Sequence, residues 1–293
     1  MSIHLIIGAS GQVGEHLFRA ARDAGFEASG THHSRPVPGM QWLDICDQTE
    51  VQSLILKLPP AVVYLPASLS NVDYCELHPE EGYATNVVGV RNIVKTVNDV
   101  GAKLVYFSSD YVFDGKNGPY YEDDPANPIC EYGRQKLISE HYVALHARDY
   151  LIVRTTVVYG WERQGKNFLY RLLNTLKAGQ TLRVPVDQVG NPTYAPNLAR
   201  AVVELALSDA VGVYHVVGPE RVNRYEFACE AASVFKLDRN LIQPVATSEL
   251  GQTAPRPLNA GMVVDKVATK LTTPLMGYRD GLRAMALEGR SKE

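Results

Sequence analysis

The sequence predicts an α/β protein: a doubly wound parallel sheet followed by a smaller C-terminal α/β unit. Three observations predict it. In the first half, continuous apolar or β-branched runs alternate with helical periodicity, the pattern of a parallel sheet covered on both faces. A glycine-rich turn follows the first apolar run directly. Beyond about residue 158 the alternation weakens and prolines punctuate the chain, from Pro185 to Pro257.

The strands are expected at 3–7, 26–31, 61–65, 104–107, 151–153 and 213–217. Helices are expected between them, near 12–24, 47–57, 79–100 and 129–148. The helix at 79–100 opens at His78-Pro79, with Glu80 and Glu81 in its first turn, where the helix dipole favours acids. Gly101 follows its end. Further helical patterns fall near 166–178, 197–208, 224–236 and 278–287. The expected layout is a cofactor domain of residues 1–158 plus about 189–218, with a lid of about 159–188 and 219–293.

Composition excludes several classes. The chain has 293 residues, 45% hydrophobic and 21% charged, enough apolar content for a sizeable core. Its 29 basic and 32 acidic residues leave a net charge of −3 without a basic stretch, which argues against nucleic-acid binding. No apolar run approaches the roughly 20 residues of a membrane span. The start, MSIHLIIGASG, enters an apolar run and a glycine without the charged region and cleavage site of a signal peptide. Cys46, Cys75, Cys130 and Cys229 lie far apart. A disulfide framework and structural zinc are therefore not expected, and a reducing cytoplasm is.

The glycine turn reads Gly8-Ala9-Ser10-Gly11-Gln12-Val13-Gly14. Strand, turn and helix come in the order a dinucleotide site requires. Gly8 allows the tight turn, Gly11 close approach of a pyrophosphate, and Gly14 packing of helix on strand. Ser10, Gln12 and Val13 complete the predicted contact, and the helix start offers unpaired N–H groups to phosphate. The second strand leads into Thr31-His32-His33-Ser34-Arg35, without the acid that binds a ribose 2′-hydroxyl in NAD sites. Thr31, His33, Ser34 and Arg35 can surround a 2′-phosphate, with Arg35 offering a planar fork. This chemistry favours NADPH and leaves NADH open. Asp44, with Ile45, is expected either near the adenine or in a turn and helix cap.

Ser108-Ser109-Asp110-Tyr111 ends a strand, at the face where such sheets bind ligands. Tyr132 and Lys136 follow, four residues apart and so on one helical face. A nearby cation lowers a phenol's pKa from about 10 and makes it a usable general acid. A serine hydroxyl can hydrogen-bond the same carbonyl oxygen. The set suits ketone reduction, with hydride from a nicotinamide and a proton from tyrosine.

With these motifs, the chain resembles the extended short-chain dehydrogenases/reductases, built on the Rossmann fold. It is most similar to the dTDP-4-dehydrorhamnose reductases and the related β subunits of methionine adenosyltransferase. The resemblance is carried by GASGQVG at 8–14, NVDYCE at 71–76, SSDYVFDG at 108–115 and YGRQK at 132–136, then by DQVGNPTYAPNLA at 187–199 and RPLNAGMVVDK at 256–266. It implies a triad of Ser109, Tyr132 and Lys136, with Tyr132 as the acid and Lys136 on the nicotinamide ribose. It implies cofactor contacts at Ala67 and Ser68, and sugar contacts at Asp110 and Tyr111. Gln188, Asn191 and Arg256 would line the lid side of the cleft, Arg256 near a substrate phosphate.

Two functions follow from the resemblance. One is reduction of the 4-keto group of a nucleotide-activated deoxysugar. The other is a non-catalytic or weakly catalytic NADP-binding subunit that regulates a partner enzyme. A homodimer fits the first, and a partner enzyme the second. A dehydratase is disfavoured, because Tyr111 follows Asp110 where a second carboxylate is needed. Val157 stands where the reductases carry a tryptophan that packs on the sugar, which puts the usual substrate in doubt. Family members often hold a metal through glutamates. Glu15 lies near that position, but no further ligands can be assigned, and no metal is predicted.

Overall fold

The computed structural model describes residues 2–290. Met1 and residues 291–293, the ends of the two predicted units, lie outside the described residues. Seven parallel strands form the central sheet: β1 (Ile3–Ile6), β2 (Glu27–His32), β3 (Gln41–Trp42), β4 (Val62–Leu65), β5 (Lys103–Ser109), β6 (Tyr150–Thr155) and β7 (Gly212–His215). Their order is β7-β6-β5-β4-β1-β2-β3. Ile6 pairs with Gly30 on one side and Tyr64 on the other, so the order reverses at β1. Ligands of such sheets sit beyond the carboxyl ends of the strands at that reversal.

The continuous apolar runs are explained by two buried faces. Ile6, Tyr64, Val105 and Val153 point to one face, under Leu17 and Ala20 of helix Gln12–Asp23 and Leu198 and Val202 of helix Ala195–Leu207. Their neighbours Leu5, Val63, Leu104 and Ile152 point to the other. There they meet Ile55 of helix Gln48–Lys57, Ile93 of helix Gly89–Val100 and Val143 of helix Glu131–His146. Alternation along each strand thus feeds both layers.

The helix expected at 79–100 is in pieces. Helix Val72–Leu77 precedes it, Pro79 starts a new turn, and a π-helical stretch at Ala84–Val88 joins Gly89–Val100. The π stretch runs into Gly89, where a Cβ would come within 2.6 Å of the Ile45 side chain. Strand β3 was not expected, being a two-residue edge strand too short to show a period.

A third apolar cluster joins Leu169, Leu172 and Leu173 to Phe227, Ala231, Leu282 and Met285. It unites helices Phe168–Lys177, Arg224–Val234 and Tyr278–Arg290. The expected lid segment 219–293 does not stay within this cluster: Val264, Val267, Leu271 and Leu275 return to the sheet. Among the described residues, no helix is long and apolar enough to cross a membrane.

Candidate active site

The glycine turn is built as its spacing requires. Gly8 has φ +94°, and its N–H donates to Thr31 Oγ1 at 3.0 Å. A Cβ there would lie 3.0 Å from Ala67, and one on Gly14 would lie 2.2 Å from Gly8 O. Gly14 therefore lets the helix start against the turn. A Cβ on Gly11 would meet only Gly8 O, at 3.4 Å. Gly11 caps the helix without any side-chain hydrogen bond, and the Gln12 Nε2 is buried without a partner. Unpaired N–H groups and an orphaned amide beside open backbone fit a pyrophosphate. From the C-terminal part, Gln164 Nε2 donates to Ser10 O at 3.2 Å, while Val13 packs on the core.

The predicted 2′-phosphate loop divides. Thr31 is buried, and its oxygen already accepts the Gly8 N–H, so it braces the turn. His33, Ser34 and Arg35 are exposed just beyond β2, with His33 against Trp42. Asp44 Oδ1 accepts from Cys46 N at 2.9 Å, and Ile45 is buried against Gly89. The pair therefore fixes the local turn. Ala67 and Ser68 follow β4, and Ala67 N donates to Ile7 O at 3.1 Å beside Gly8.

Ser109 is the last residue of β5, two residues later than the predicted strand end. Its Oγ donates to Asp110 Oδ1 at 2.8 Å and accepts from Tyr111 N at 3.3 Å. Helix Glu131–His146 brings Tyr132 and Lys136 to the same strand end. The Tyr111 ring meets Tyr132 edge-on, with centroids 5.6 Å apart. Lys136 Nζ lies 5.8 Å from the Tyr132 ring centroid and donates to Phe107 O at 2.9 Å. Gly133 permits this approach, since a Cβ there would lie 2.1 Å from Tyr111 O. Gln135 ties the helix back, accepting from Asn86 Nδ2 at 2.9 Å and donating to Pro79 O at 3.1 Å.

Electrostatics here differ from the expectation. The Tyr132 hydroxyl is pushed up, not down: burial dominates, Asp110 adds to it, and the Ser109 hydroxyl opposes it. The lysine is itself desolvated, and burial lowers its ammonium to about 8. Burial also raises Asp110, against hydrogen bonds from Thr156 and Ser109, and pushes Tyr111 up to about 12. Loss of hydration, reinforced by Asp110, Tyr111 and Cys75, sets the direction at Tyr132. Burial pushes the Cys75 thiol up to about 11, in keeping with a structural cysteine.

A cavity opens beside this group, lined by Asp110, Tyr111, Val157, Gln188, Arg224 and Phe227 among others. Val157 has φ +43°, a strained conformation for a β-branched residue. Its carbonyl accepts from Thr193 N at 3.1 Å. Of the predicted lid-side residues, Gln188 reaches the cavity and holds Arg224 Nε at 3.0 Å. Asn191 is wholly buried and bonded to Gly218 O and to Met262 through both its N–H and carbonyl. It ties loops together. Arg256 is paired with Asp73 at 2.8 Å and with Ala254 O. Arg224, Thr156 and Gly133 were missed. Gly133, inside the YGRQK segment, and Thr156, beside Val157 in the segment Arg154–Tyr159, stood where a motif could have flagged them.

Glu15 is engaged by Arg19 and Arg163. Among the described residues, no group of three or more His, Cys, Asp or Glu is arranged to hold a metal.

A parallel sheet reversing at β1, a glycine turn at that reversal, and Ser, Tyr and Lys at the end of β5 define an extended short-chain dehydrogenase/reductase architecture. The chain belongs to the RmlD substrate-binding-domain family, whose model matches residues 1–290. It is 35% identical over 254 residues to the spore coat polysaccharide biosynthesis protein SpsK of Bacillus subtilis, covering 86% of each chain. It is 30% identical to the methionine adenosyltransferase 2 subunit beta of Xenopus tropicalis, covering 99% of this chain and 90% of the relative. The crystal structure of dTDP-4-dehydrorhamnose reductase from Bacillus anthracis in complex with NADP superposes with a TM-score of 0.91 at 29% identity, covering 98% of this chain and 100% of the other.

Proposed function

We propose that this protein is an NADPH-dependent reductase of the 4-keto group of a nucleotide-activated deoxysugar. The observation that carries the reading is the convergence of Ser109, Tyr132 and Lys136 at the carboxyl end of β5, with a small cavity lined by the adjoining Asp110 and Tyr111. Gly8, Gly11, Gly14 and the uncapped helix start would hold the pyrophosphate. His33, Ser34 and Arg35 would hold a 2′-phosphate, and Lys136 the nicotinamide ribose. NADPH, when bound, supplies the hydride, and NADH can substitute for it. Tyr132 stays protonated at neutral pH, because burial raises its hydroxyl, and so keeps a proton to give to the carbonyl oxygen. Ser109, whose single hydroxyl proton is given to Asp110 here, would turn that proton to the carbonyl oxygen when substrate is bound. We propose further that the third apolar cluster marks a substrate lid over the cofactor domain.

A second reading is an NADP-binding regulatory subunit. The Xenopus tropicalis relative, matched over 99% of the chain, and Val157 in place of a broad aromatic favour it. The deciding experiment follows NADPH oxidation with dTDP-4-dehydro-6-deoxy-L-mannose generated in situ. Turnover that disappears in Tyr132→Phe, with NADPH affinity kept, is expected. Absence of turnover with tight NADPH binding, together with co-purification of a synthetase, would replace the reductase by the regulatory subunit.

A further inference from the structure

Arg224 opens helix Arg224–Val234 and lines the cavity beside Asp110 and Tyr111. Its placement is built. The backbone N–H donates to Gln188 O and Nε to Gln188 Oε1, both at 3.0 Å. Its guanidinium lies 5.2 Å from the centre of the Phe168 ring. Gln188 is itself held, donating through Nε2 to Thr247 Oγ1 at 3.1 Å. Among the described residues, the two terminal nitrogens of Arg224 have no hydrogen-bond partner and the group forms no ion pair. A guanidinium fixed through one nitrogen, with its planar fork unspent, is matched to a carboxylate or phosphate.

The charge around it agrees. Arg171 and Arg256 both repel Arg224 at this end of the cleft, where Tyr111 and Asp110 favour its charge. Asp110 already accepts from Ser109 and Thr156, and Arg256 is neutralised by Asp73. Asp110 attracts Arg224 without pairing to it, so both terminal nitrogens stay open at the cavity wall.

We propose that Arg224 is a specificity-determining residue of the cleft: its terminal nitrogens receive an oxyanion of the substrate, either a carboxylate on the sugar or the adjacent diphosphate. The ligand's identity rests on the nucleotide-sugar reading above; the anion site does not.

The test is calorimetric titration of NADPH-loaded wild type, Arg224→Met and Arg224→Lys with dTDP, dTDP-glucose and dTDP-glucuronate. Arg224→Met is expected to weaken the recognised ligand roughly 10- to 100-fold. Arg224→Lys should restore part of the loss, and NADPH affinity should stay within about twofold in all three proteins. A loss confined to dTDP-glucuronate assigns the site to a sugar carboxylate. An equal loss for all three ligands assigns it to the diphosphate. Arg224→Gln replaces Arg224→Met if the latter no longer binds NADPH. If wild type binds none of the three nucleotides, the nucleotide-sugar reading falls. Free glucuronate and inorganic pyrophosphate then test the site alone, and binding abolished in the variant upholds it. Affinities for every anion that are the same in wild type and variant would overturn the proposal.

Discussion

Replacing Lys136 by Met should separate stability from activity, and its sign follows from desolvation. Folding takes the ammonium out of water and lowers it from 10.5 to about 8. One pH step corresponds to about 1.4 kcal/mol, so the charged form is disfavoured by roughly 3 kcal/mol at neutral pH. Against this stands the hydrogen bond to Phe107 O, whose loss leaves a buried carbonyl unpaired at a cost of about 1–3 kcal/mol. The two nearly cancel, so at pH 7 Lys136→Met should be about as stable as wild type.

The pH dependence does not cancel. Between pH 8 and 10.5 the unfolded chain binds the proton that the folded chain has released, so wild-type stability rises with pH there. Methionine cannot titrate. The wild-type advantage should therefore grow by about 2 kcal/mol from pH 7 to pH 9.5. Urea unfolding of both proteins, without cofactor, at the two pH values measures it. Groups common to both chains drop out of the difference. An advantage that stays flat within about 0.5 kcal/mol would refute the desolvated-ammonium argument. Turnover should be lost at both pH values.

Three further outcomes are expected. Arg35→Ala should weaken NADPH roughly 10- to 100-fold and leave NADH nearly unchanged, as fluorescence titration of both cofactors will measure; an equal effect on the two would remove the 2′-phosphate assignment. Gly14→Ala drives a Cβ to 2.2 Å from Gly8 O, which is backbone and cannot swing aside, so about 1–3 kcal/mol of stability and at least about tenfold in NADPH affinity should be lost. Gly11→Ala, whose Cβ would meet Gly8 O at an ordinary contact distance of 3.4 Å, is its control for stability alone, since Gly11 belongs to the proposed pyrophosphate contact. Glu140→Ala removes the carboxylate that Arg154 grips through two nitrogens at 2.9 and 2.7 Å, leaving a buried guanidinium unpaired. Unfolding free energy should fall by about 3–5 kcal/mol, and a loss under 1 kcal/mol would show the pair to be well solvated.

What the sequence determined by itself is what local periodicity and short motifs encode. Continuous apolar runs between helical stretches define a sheet covered on both faces, and the alternation of Leu5 and Ile6 between two apolar layers is that rule realised. Glycines at 8, 11 and 14 and a tyrosine four residues before a lysine are spacing statements, true before the chain folds. Arg35 beyond β2 and Ser109 at the end of β5 were legible for the same reason, since a strand's carboxyl end can be read from the strand.

Tertiary structure decided the rest, because proximity between distant segments and loss of water have no local signature. It joined Arg224 to Gln188 beside Asp110, spent Asn191 and Arg256 on internal partners, and put Val157 into a left-handed conformation. It also reversed the expected direction for Tyr132. The nearby lysine was visible in the sequence, but the burial that raises the hydroxyl arises only when Tyr132 packs with Leu69 of the loop after β4, Cys75 and the distant Ala254.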